Sequence, residues 1–474
     1  MTKPIFIGGT SSHAGKSWMA TAICAWLRRH GVRVAPFKAQ NMSNNSYPCR
    51  AGGEIGRAQV AQAWACGLEP EPAMNPILLK PNSDGGSQVV VNGKVWKNLS
   101  AREYYQHHRE LLEVVLSAYE DLASRFDVIV IEGAGSVTEL NLRRFDLVNL
   151  GLATRLSAPW LLVGDIERGG VFASIIGTVS LLTAEERSLL RAFAVNKFRG
   201  DLSLFDEGRE ILEEWTGCPC LGVFPYALDA HLDDEDSLGA SKPSHFDSSA
   251  SGPNCAVIRL PRISNTTDFR LLKDACWITK PIDKRFDFIF LPGTKNTIGD
   301  LAWLRAQHLD KWLLEQHARG ATLIGICGGY QMLGQSISDP LEMESAGLGT
   351  SGLGLLPVRT ILNAQKTTRI RQASTPGGYR YSAYEIHLGE TTSTGPSYKP
   401  FAILDDDSHE GAWIDRVIGT YLHGAFEHPE VLSSIGLNID SSKDANDFEA
   451  LANWFDPFGK TFLEMFLPSL AANS

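Results

Sequence analysis

The stretch "FIGGTSSHAGKS", Phe6 to Ser17, constrains the fold more than any other part of this 474-residue chain. An apolar strand enters a glycine-rich turn. The helix-periodic stretch "SWMATAICAWLRRHG" follows and ends at Gly31. Such a turn presents backbone N–H groups and a positive helix end to phosphate. The order of strand, loop and helix therefore predicts a nucleotide site on a parallel α/β sheet.

The loop departs by one residue from the usual spacing of a phosphate-binding loop, because five residues separate Gly9 from the Gly15-Lys16-Ser17 triplet. We predict that Lys16 reaches the terminal phosphates of ATP and that Ser17 holds Mg²⁺. The alternative is a tight turn with a solvated lysine. The predicted ATP-binding residues are Gly9, Thr10, His13, Ala14, Gly15, Lys16, Ser17 and Asn196.

A metal ion in this site needs a carboxylate as well as a hydroxyl. Glu132 ends the apolar run "DVIVIEG", and ligands bind at the carboxyl ends of strands in open α/β sheets. We therefore predict Ser17 and Glu132 as metal ligands, with a helix cap as the alternative role for Glu132. Asp165 ends the run "PWLLVGD" and is as consistent with a cap as with a ligand. Asn196 ends another strand, where it could contact adenine.

Apolar runs alternate with helical stretches along the whole chain, which predicts two parallel α/β domains. The pattern stops in "ASKPSHFDSSASGP", which is rich in serine and proline and reads as a linker. We predict a first α/β domain with the nucleotide site over 1–239, the linker over 240–253, a second α/β domain over 254–437 and a C-terminal helical segment over 438–474. Further strands are expected at "VRVAPFK", "LRAFAVNKF", "NCAVIRLP", "FDFIFLPGT", "ATLIGICGG" and "RVIGTYLHG".

Composition narrows the class of protein. The net charge of -10 argues against non-specific binding to nucleic acid. No apolar run is long enough to span a bilayer, and the N-terminus lacks the pattern of a signal peptide. We expect a cytoplasmic protein with no membrane insertion. The eight cysteines are scattered, so we expect reduced and mostly buried thiols, with one exception.

That exception is Cys327 in "ATLIGICGGYQMLG", where an apolar strand runs through the cysteine into an apparent helix. A thiol on a strand-to-helix elbow is exposed to substrate and is typical of a nucleophile. The N–H of Gly328 would then point into an oxyanion hole, with Gly293 and Thr294 of "FLPGTKNT" as the source of a second donor. The alternative is a buried core cysteine.

A cysteine nucleophile needs a base. His423 follows a predicted strand in "GTYLHGAFEHP". His387 and His428 are rivals, but His428 lies beyond the motif and beside a proline. We therefore predict that His423 is the base.

The sequence resembles the glutamine-hydrolysing cobyric acid synthase family along its whole length. The motifs that carry the resemblance are "GTSSHAGKS", "PFKAQNMSNNS", "GGEIGRAQ", "NPILLKP", "VIEGAGS", "VNKFRGD", "LPRISNTTDF", "LPGTKNT", "GICGGYQMLG", "YEIHLG" and "GTYLHGAF". The resemblance implies an N-terminal phosphate-loop domain like that of dethiobiotin synthetase. It also implies a C-terminal domain like class I glutamine amidotransferases.

The resemblance also implies the chemistry. The C-terminal domain would hydrolyse glutamine through a thioester and release ammonia. The N-terminal domain would use ATP and Mg²⁺ to phosphorylate carboxylates of adenosylcobyrinic acid a,c-diamide, a corrin. Ammonia, moving through a dry channel, would then displace phosphate at the b, d, e and g positions and give adenosylcobyric acid.

Two details of the resemblance concern individual residues. Four amide side chains follow the second strand where related a,c-diamide synthases carry acids: Gln40, Asn41, Asn44 and Asn45. We expect them to contact nucleotide or corrin, with a polar turn as the alternative. Many class I glutaminases have an acid two residues after the histidine, but this chain has Ala425 there, as the cobyric acid group does. Glu385 is a weak candidate for the missing partner.

Three alternatives remain at this point. A cobyrinic acid a,c-diamide synthase is disfavoured by the amide-rich "QNMSNNS". An amidotransferase acting on a cell-wall lipid intermediate usually divides these two halves between separate chains. A ParA- or MinD-like switch ATPase would have no use for Cys327 and His423.

Overall fold

The computed structural model describes residues 2–81, 86–226, 232, 253–344, 349–395, 398–439 and 447–471. Most of the predicted linker, 240–253, lies outside the described residues.

The first part of the chain, up to residue 226, contains twelve strands and eight α-helices within its described residues. The strands are β1 (Lys3–Gly9), β2 (Val34–Phe37), β3 (Gln40–Met42), β4 (Ser46–Pro48), β5 (Glu54–Gly56), β6 (Ile77–Pro81), β7 (Gly86–Val91), β8 (Lys94–Ser100), β9 (Val128–Glu132), β10 (Trp160–Asp165), β11 (Leu190–Phe198) and β12 (Cys220–Pro225). The helices are α1 (Lys16–Arg29), α2 (Arg57–Ala65), α3 (Ala101–Gln106), α4 (His108–Arg125), α5 (Leu150–Arg155), α6 (Val171–Ser180), α7 (Ala184–Leu189) and α8 (Asp206–Thr216).

The rest of the chain repeats the alternation with more β structure. Its strands are β13 (Cys255–Ile258), β14 (Cys276–Ile278), β15 (Phe288–Leu291), β16 (Thr322–Ile326), β17 (Ser336–Ser338), β18 (Gly349–Ser351), β19 (Val358–Ser374), β20 (Arg380–Ser393), β21 (Ala402–Leu404), β22 (His409–Glu410), β23 (Ala412–Ile414) and β24 (Val417–Thr420). Its helices are α9 (Thr297–Ala306), α10 (Leu309–Ala318), α11 (Gly328–Leu333), α12 (Pro429–Ser434), α13 (Phe448–Phe466) and α14 (Pro468–Ala471).

Two parallel sheets form the centres of the two halves, as the sequence predicts. The first sheet has the order β12-β11-β10-β1-β9-β2, and all of its strand pairs are parallel. The second has the order β14-β13-β15-β16-β24-β23, and only its edge strand β23 is antiparallel. Nine of the twelve strands in these two sheets are ones that the sequence predicts, because strands covered on both faces are continuously hydrophobic. The edge strands β12, β14 and β23 were not predicted.

Additional β layers accompany each parallel sheet, and the sequence analysis missed them. A four-stranded sheet, β3-β6-β7-β8, lies in the first half. A sheet dominated by the long antiparallel hairpin β19–β20 lies in the second half. The burial of β19 and β20 alternates only in part, so their sequences carry a weak strand signal.

The C-terminal helix α13 exists as predicted, but it packs against α1 of the first half. Phe455 makes an edge contact with Trp26, and the Trp26 indole N–H donates to Asp456 at 2.8 Å. A Cβ at Gly459 would lie 2.2 Å from the Trp26 ring, so a glycine is needed for this close approach. The two ends of the described chain therefore share one hydrophobic core.

All eight cysteines are free thiols, which agrees with the prediction of reduced cysteines. Cys327, expected to be the exposed exception, is one of the six buried cysteines, whereas Cys255 and Cys276 are partly exposed. Among the described residues, no helix is both long enough and apolar enough to cross a membrane.

Candidate functional site

The phosphate-loop motif forms a sharp turn between β1 and α1. Gly15 has a φ of 99°, and a Cβ at this position would lie 2.0 Å from the amide nitrogen of Asn196. Only glycine therefore fits there. The Lys16 side chain passes beneath Gly9 and donates to the carbonyl oxygens of Ser11 at 3.0 Å and Gly135 at 2.7 Å. The lysine is thus held inside the loop, where a phosphate would lie.

The two predicted metal ligands lie together at the carboxyl edge of the first parallel sheet, with Ser17 in the first turn of α1 and Glu132 at the end of β9. β1 pairs with β9, which brings the Ser17 hydroxyl within 2.8 Å of the carboxylate of Glu132. A hydroxyl and a carboxylate suit a hard cation, and Mg²⁺ commonly takes only one or two protein carboxylates. No group of three or more His, Cys, Asp or Glu side chains suited to a metal occurs within the described ranges. The donor set therefore fits Mg²⁺ with additional ligands from phosphate and water.

Glu132 also binds two residues that the sequence analysis missed. Lys38 Nζ donates to the carboxylate at 2.8 Å, and both side chains are buried. Gln62 donates to the second carboxylate oxygen. Lys38 directly follows β2, and its position at the carboxyl edge of the sheet could have identified it as a candidate residue of the site. A second buried lysine therefore accompanies Lys16 at the candidate nucleotide site.

Asn196 and Asp165 lie at the same edge of the sheet and support the loop. The Asn196 amide N–H donates to the carbonyl of Ala14 at 3.0 Å, so this donor is used on the protein. Asp165 accepts from the backbone N–H of Glu167 at 2.8 Å and from Lys197 Nζ at 2.9 Å. Lys197 also donates to the carbonyl of His13 at 2.6 Å. Asp165 therefore closes a short turn after β10 and forms an ion pair; it does not cap α6, which begins at Val171 after Gly170. Adenine contact by Asn196 stays a prediction.

A cavity of about 1110 Å³, called here the large cavity, opens above this edge. Lys16, Ser17, Lys38 and Asn196 line it, together with Gln40, Asn41 and Asn44. The volume exceeds the usual range of roughly 300–1,000 Å³ for pockets that hold drug-sized ligands. The large cavity therefore has room for a nucleotide and part of a second, bulky substrate.

The four predicted amides have different surroundings. Gln40 accepts from the Tyr104 hydroxyl, and Asn41 donates to Gln59 at 2.9 Å. Asn45 forms two hydrogen bonds of 3.4 Å with Thr266 of the other half and does not line the large cavity. The structure therefore places Asn45 at the contact between the two halves, away from the residues that face the large cavity.

Cys327 occupies the predicted elbow between β16 and α11. Its φ of 52° and ψ of -107° are a strained conformation for a residue other than glycine. A Cβ at the following Gly328 would lie 3.2 Å from the backbone nitrogen of Thr294. The two predicted oxyanion donors are thus adjacent. At Gly293, a Cβ would lie 2.8 Å from the His423 ring, which explains the glycine there.

His423 lies close to the thiol because β24 and β15 both pair with β16. Its Nδ1–H donates to the Asp268 carboxylate at 2.7 Å, and both side chains are buried. Burial alone would lower the pKa of His423, but the Asp268 carboxylate and the Cys327 sulfur raise it to about 10. Nε2 has no hydrogen-bond partner of ordinary geometry within the described chain and remains available to the thiol.

Asp268 is the orienting acid that the sequence analysis failed to find. It lies in a 3₁₀ turn, Thr266–Phe269, and it also accepts from the backbone N–H of Gly424 at 2.7 Å. Glu385, the candidate from the sequence, is wrong for this role, because it pairs with Arg369 and lies near Arg371 and His387. The "NTTDF" stretch has no periodicity that would have marked Asp268.

The rival histidines make other contacts. His387 Nδ1 lies 2.7 Å from the carbonyl oxygen of Gly389, and its ring stacks on Tyr421. His428 Nε2 lies 3.2 Å from the carbonyl oxygen of Ser382. Within the described residues, the buried histidine that pairs with an acid beside Cys327 is therefore His423.

The comparisons with known proteins agree with this geometry. Residues 5–237 match the CobQ/CobB/MinD/ParA nucleotide binding domain, and residues 254–431 match the CobB/CobQ-like glutamine amidotransferase domain. Cobyric acid synthase of Parabacteroides distasonis is 43% identical over 95% of this chain and 93% of its own length. The chain belongs to the cobyric acid synthase family. That of Thermoanaerobacter sp. is 42% identical over 96% of this chain and 94% of its own length.

Membership of the cobyric acid synthase family makes this chain an enzyme, a glutamine amidotransferase ligase of cobalamin biosynthesis that uses ATP. The rival reading as a switch ATPase is therefore wrong. The two family domains account for the two sites in one chain. The nucleotide-binding domain contains the phosphate loop, and the amidotransferase domain contains Cys327 and His423.

Proposed function

We propose that this enzyme amidates the b, d, e and g carboxylates of adenosylcobyrinic acid a,c-diamide and gives adenosylcobyric acid. Glutamine supplies the nitrogen, and ATP supplies the energy. A carboxylate is a poor electrophile at neutral pH, and ammonia in water is mostly protonated. An activated carboxyl group and an internal source of ammonia overcome these two obstacles.

In the proposed glutaminase reaction, Cys327 attacks the side-chain amide carbon of glutamine. His423 takes the thiol proton on Nε2 and gives it to the leaving nitrogen, so ammonia departs and a thioester remains. Asp268 holds the ring by Nδ1 and stabilises its positive charge. The N–H groups of Gly328 and Thr294 would stabilise the oxyanion. Water then hydrolyses the thioester to glutamate and restores the thiol.

In the proposed synthetase reaction, an oxygen of the corrin carboxylate attacks the terminal phosphorus of ATP. ADP leaves, and the product is an acyl phosphate. Lys16 and the loop N–H groups bind the transferred phosphoryl group, and Ser17 and Glu132 would hold Mg²⁺, which neutralises developing phosphate charge. Ammonia then attacks the acyl carbon, phosphate departs, and the amide forms. We propose that Lys38 adds positive charge at the same site.

The observation that carries this proposal is the Cys327, His423 and Asp268 arrangement in one chain with the Lys16, Ser17 and Glu132 site. Each arrangement lies at the carboxyl edge of its own parallel sheet. A nucleotide site alone is consistent with many ATPases, but a glutaminase alongside it indicates amide synthesis.

Mass spectrometry of the corrin product tests the proposal directly. Incubation with glutamine, ATP, Mg²⁺ and adenosylcobyrinic acid a,c-diamide should give four successive acid-to-amide mass changes. No mass change, or changes at a and c when cobyrinic acid is supplied, would contradict it. His423→Asn should lose glutamine hydrolysis, whereas the matched variant His387→Asn should retain most of it. The reverse result would reassign the base.

A further inference from the structure

Cys327 faces a small cavity, called here the thiol cavity, with a volume of about 50 Å³. One water molecule needs roughly 10–15 Å³ of such a cavity, so the thiol cavity holds a few molecules of that size. Ammonia is of that size, and a whole corrin is not. The thiol cavity is thus suited to receive ammonia at the point of its release.

The thiol cavity and the large cavity share one residue of their described walls, Asn44. The residues before and after Asn44 line different cavities. Ser43 lines the large cavity, and Ser46 lines the thiol cavity. The facing segment divides in the same way. Ile263 lines the large cavity, and Ser264 lines the thiol cavity. The two segments therefore run along the boundary between the cavities.

The neighbours of Asn44 are fixed on both sides. The Ser43 N–H donates to the Leu79 carbonyl at 3.0 Å, and the Ser46 N–H donates to the Asn265 side chain at 3.2 Å. Within the described part of the chain, the buried Oδ1 of Asn44 has no hydrogen-bond partner. A buried amide oxygen without a partner is costly, and a molecule with N–H groups passing beside it would satisfy it.

The charged side chains around the thiol cavity favour a neutral molecule inside it. Three lysines, Lys80, Lys295 and Lys366, line it together with Glu344. Lys80 and Lys366 both pair with the buried Glu54. Burial lowers the pKa of Lys295 to about 8, so the cavity resists a further cation. Ammonium would meet this resistance, whereas ammonia would not.

Glutamine can reach the Cys327 thiol from a side of the thiol cavity that does not include Asn44. A third cavity of about 900 Å³ shares Lys366, His387 and Leu388 with the thiol cavity and does not include Asn44. Entry of glutamine from that side leaves the Asn44 side for the ammonia. The three cavities would then form a series with Cys327 in the middle.

We infer that the Asn44 side chain forms the passage by which ammonia leaves Cys327 and enters the synthetase site. This inference rests on the proposed function and names the residue at its transfer point. Asn44 is here a positioning residue of the route, in place of the substrate contact expected from the sequence. Its size and its amide oxygen determine whether ammonia crosses the boundary.

The test compares Asn44→Phe, which fills the boundary, with Asn44→Ser, which opens it. Three rates are measured in the full enzyme: glutamate release from glutamine, amide formation with glutamine, and amide formation with ammonium chloride. Because Asn44 also lines the large cavity, the ammonium-dependent rate measures any effect on that cavity, and for Asn44→Phe we expect the glutamine-dependent amidation rate to fall at least tenfold further than the ammonium-dependent rate. We expect at least tenfold more glutamate released per amide formed. Asn44→Ser should keep that ratio within about twofold of the wild type.

The outcomes separate the possible failures. An unchanged ratio in Asn44→Phe would place the passage elsewhere and overturn the inference. If Asn44→Phe lowers the ammonium-dependent and glutamine-dependent amidation rates equally, Asn44 acts in substrate binding, which also overturns the inference. Equal ratios in the two variants would show that bulk is not the cause. If the wild type forms no corrin amide with either nitrogen source, the proposed function itself has failed.

Discussion

Asp268 Oδ2 lies 2.7 Å from Nδ1 of His423, although the two residues are 155 positions apart in the chain. Many class I glutaminases supply this acid two residues after the histidine, where the present chain has Ala425. The acid comes instead from a turn after β13, and the same carboxylate binds the N–H of Gly424. The histidine is thus held by side chain and backbone together.

Asp268→Asn should lower glutamine hydrolysis by on the order of a hundredfold or more, because the amide can favour the wrong tautomer of His423 and no longer stabilises its charge. Amidation with ammonium should be retained. Steady-state glutamate release measures the loss. Glu385→Gln is the control and should stay within a few fold, since the Glu385 carboxylate pairs with Arg369. Similar losses in both variants would contradict the assignment.

The same variant should change the pH dependence of Cys327 alkylation by a glutamine-like electrophile. The Asp268 charge raises the pKa of His423, so its removal lowers that pKa, and the imidazolium is lost at a lower pH. A thiolate without an adjacent imidazolium forms only at higher pH. The alkylation profile of Asp268→Asn should therefore move to higher pH than that of the wild type. An unmoved profile would show that Asp268 has no electrostatic role.

Cys327→Ala should abolish amidation with glutamine and spare amidation with ammonium at alkaline pH. The substitution removes the nucleophile and leaves the cavities in place, because alanine is smaller than cysteine. Corrin amides are quantified with each nitrogen source. Loss of both activities in a folded variant would show that the division of labour between the two sites is wrong.

Lys16→Ala should lose amidation with either nitrogen source by on the order of a hundredfold or more, since it removes a cation from the transferred phosphoryl group. Glutamine hydrolysis by the other half should be less affected. ADP release and glutamate release are measured in parallel. The exposed Lys94→Ala is the control and should behave as the wild type. Near-normal ADP release in Lys16→Ala would remove the loop from the phosphate site.

Glu132→Gln should raise the Mg²⁺ concentration needed for half-maximal activity by about tenfold or more, because a neutral amide is a weaker ligand for a hard cation. The measurement is a Mg²⁺ titration of ADP release at saturating ATP. Asp165→Asn is the comparison, because Asp165 ends β10, on the far side of β1 from Glu132, and pairs with Lys197. A larger Mg²⁺ effect in Asp165→Asn would reverse the assignment.

Gly459→Ala should lower the melting temperature, because its Cβ would meet the Trp26 ring between α13 and α1. Overpacking of this kind costs about 1–3 kcal/mol. Gly177→Ala, inside α6, is the matched substitution. A Cβ there meets nothing within 4 Å, so alanine should stabilise the helix by about 0.5–1 kcal/mol. Equal effects of the two substitutions would contradict the packing argument.

The sequence by itself determined the two parallel sheets, the phosphate loop and the Cys327 elbow. These features depend on short apolar runs and on glycines beside them, so their signal is local. The pairing of His423 with Cys327 could also be predicted, because each follows a strand and the carboxyl ends of parallel strands meet at one edge.

Only the tertiary structure decided which acid serves His423, where Asn44 lies and where the last helix packs. Asp268 lies in a turn without periodicity, and its role depends on how two loops after separate strands meet. Asn44 belongs to a polar segment, and the role of its side chain depends on the two cavities that it lines. Such contacts join residues more than a hundred positions apart. They form only when the chain packs, so the local sequence preferences of each segment do not predict them.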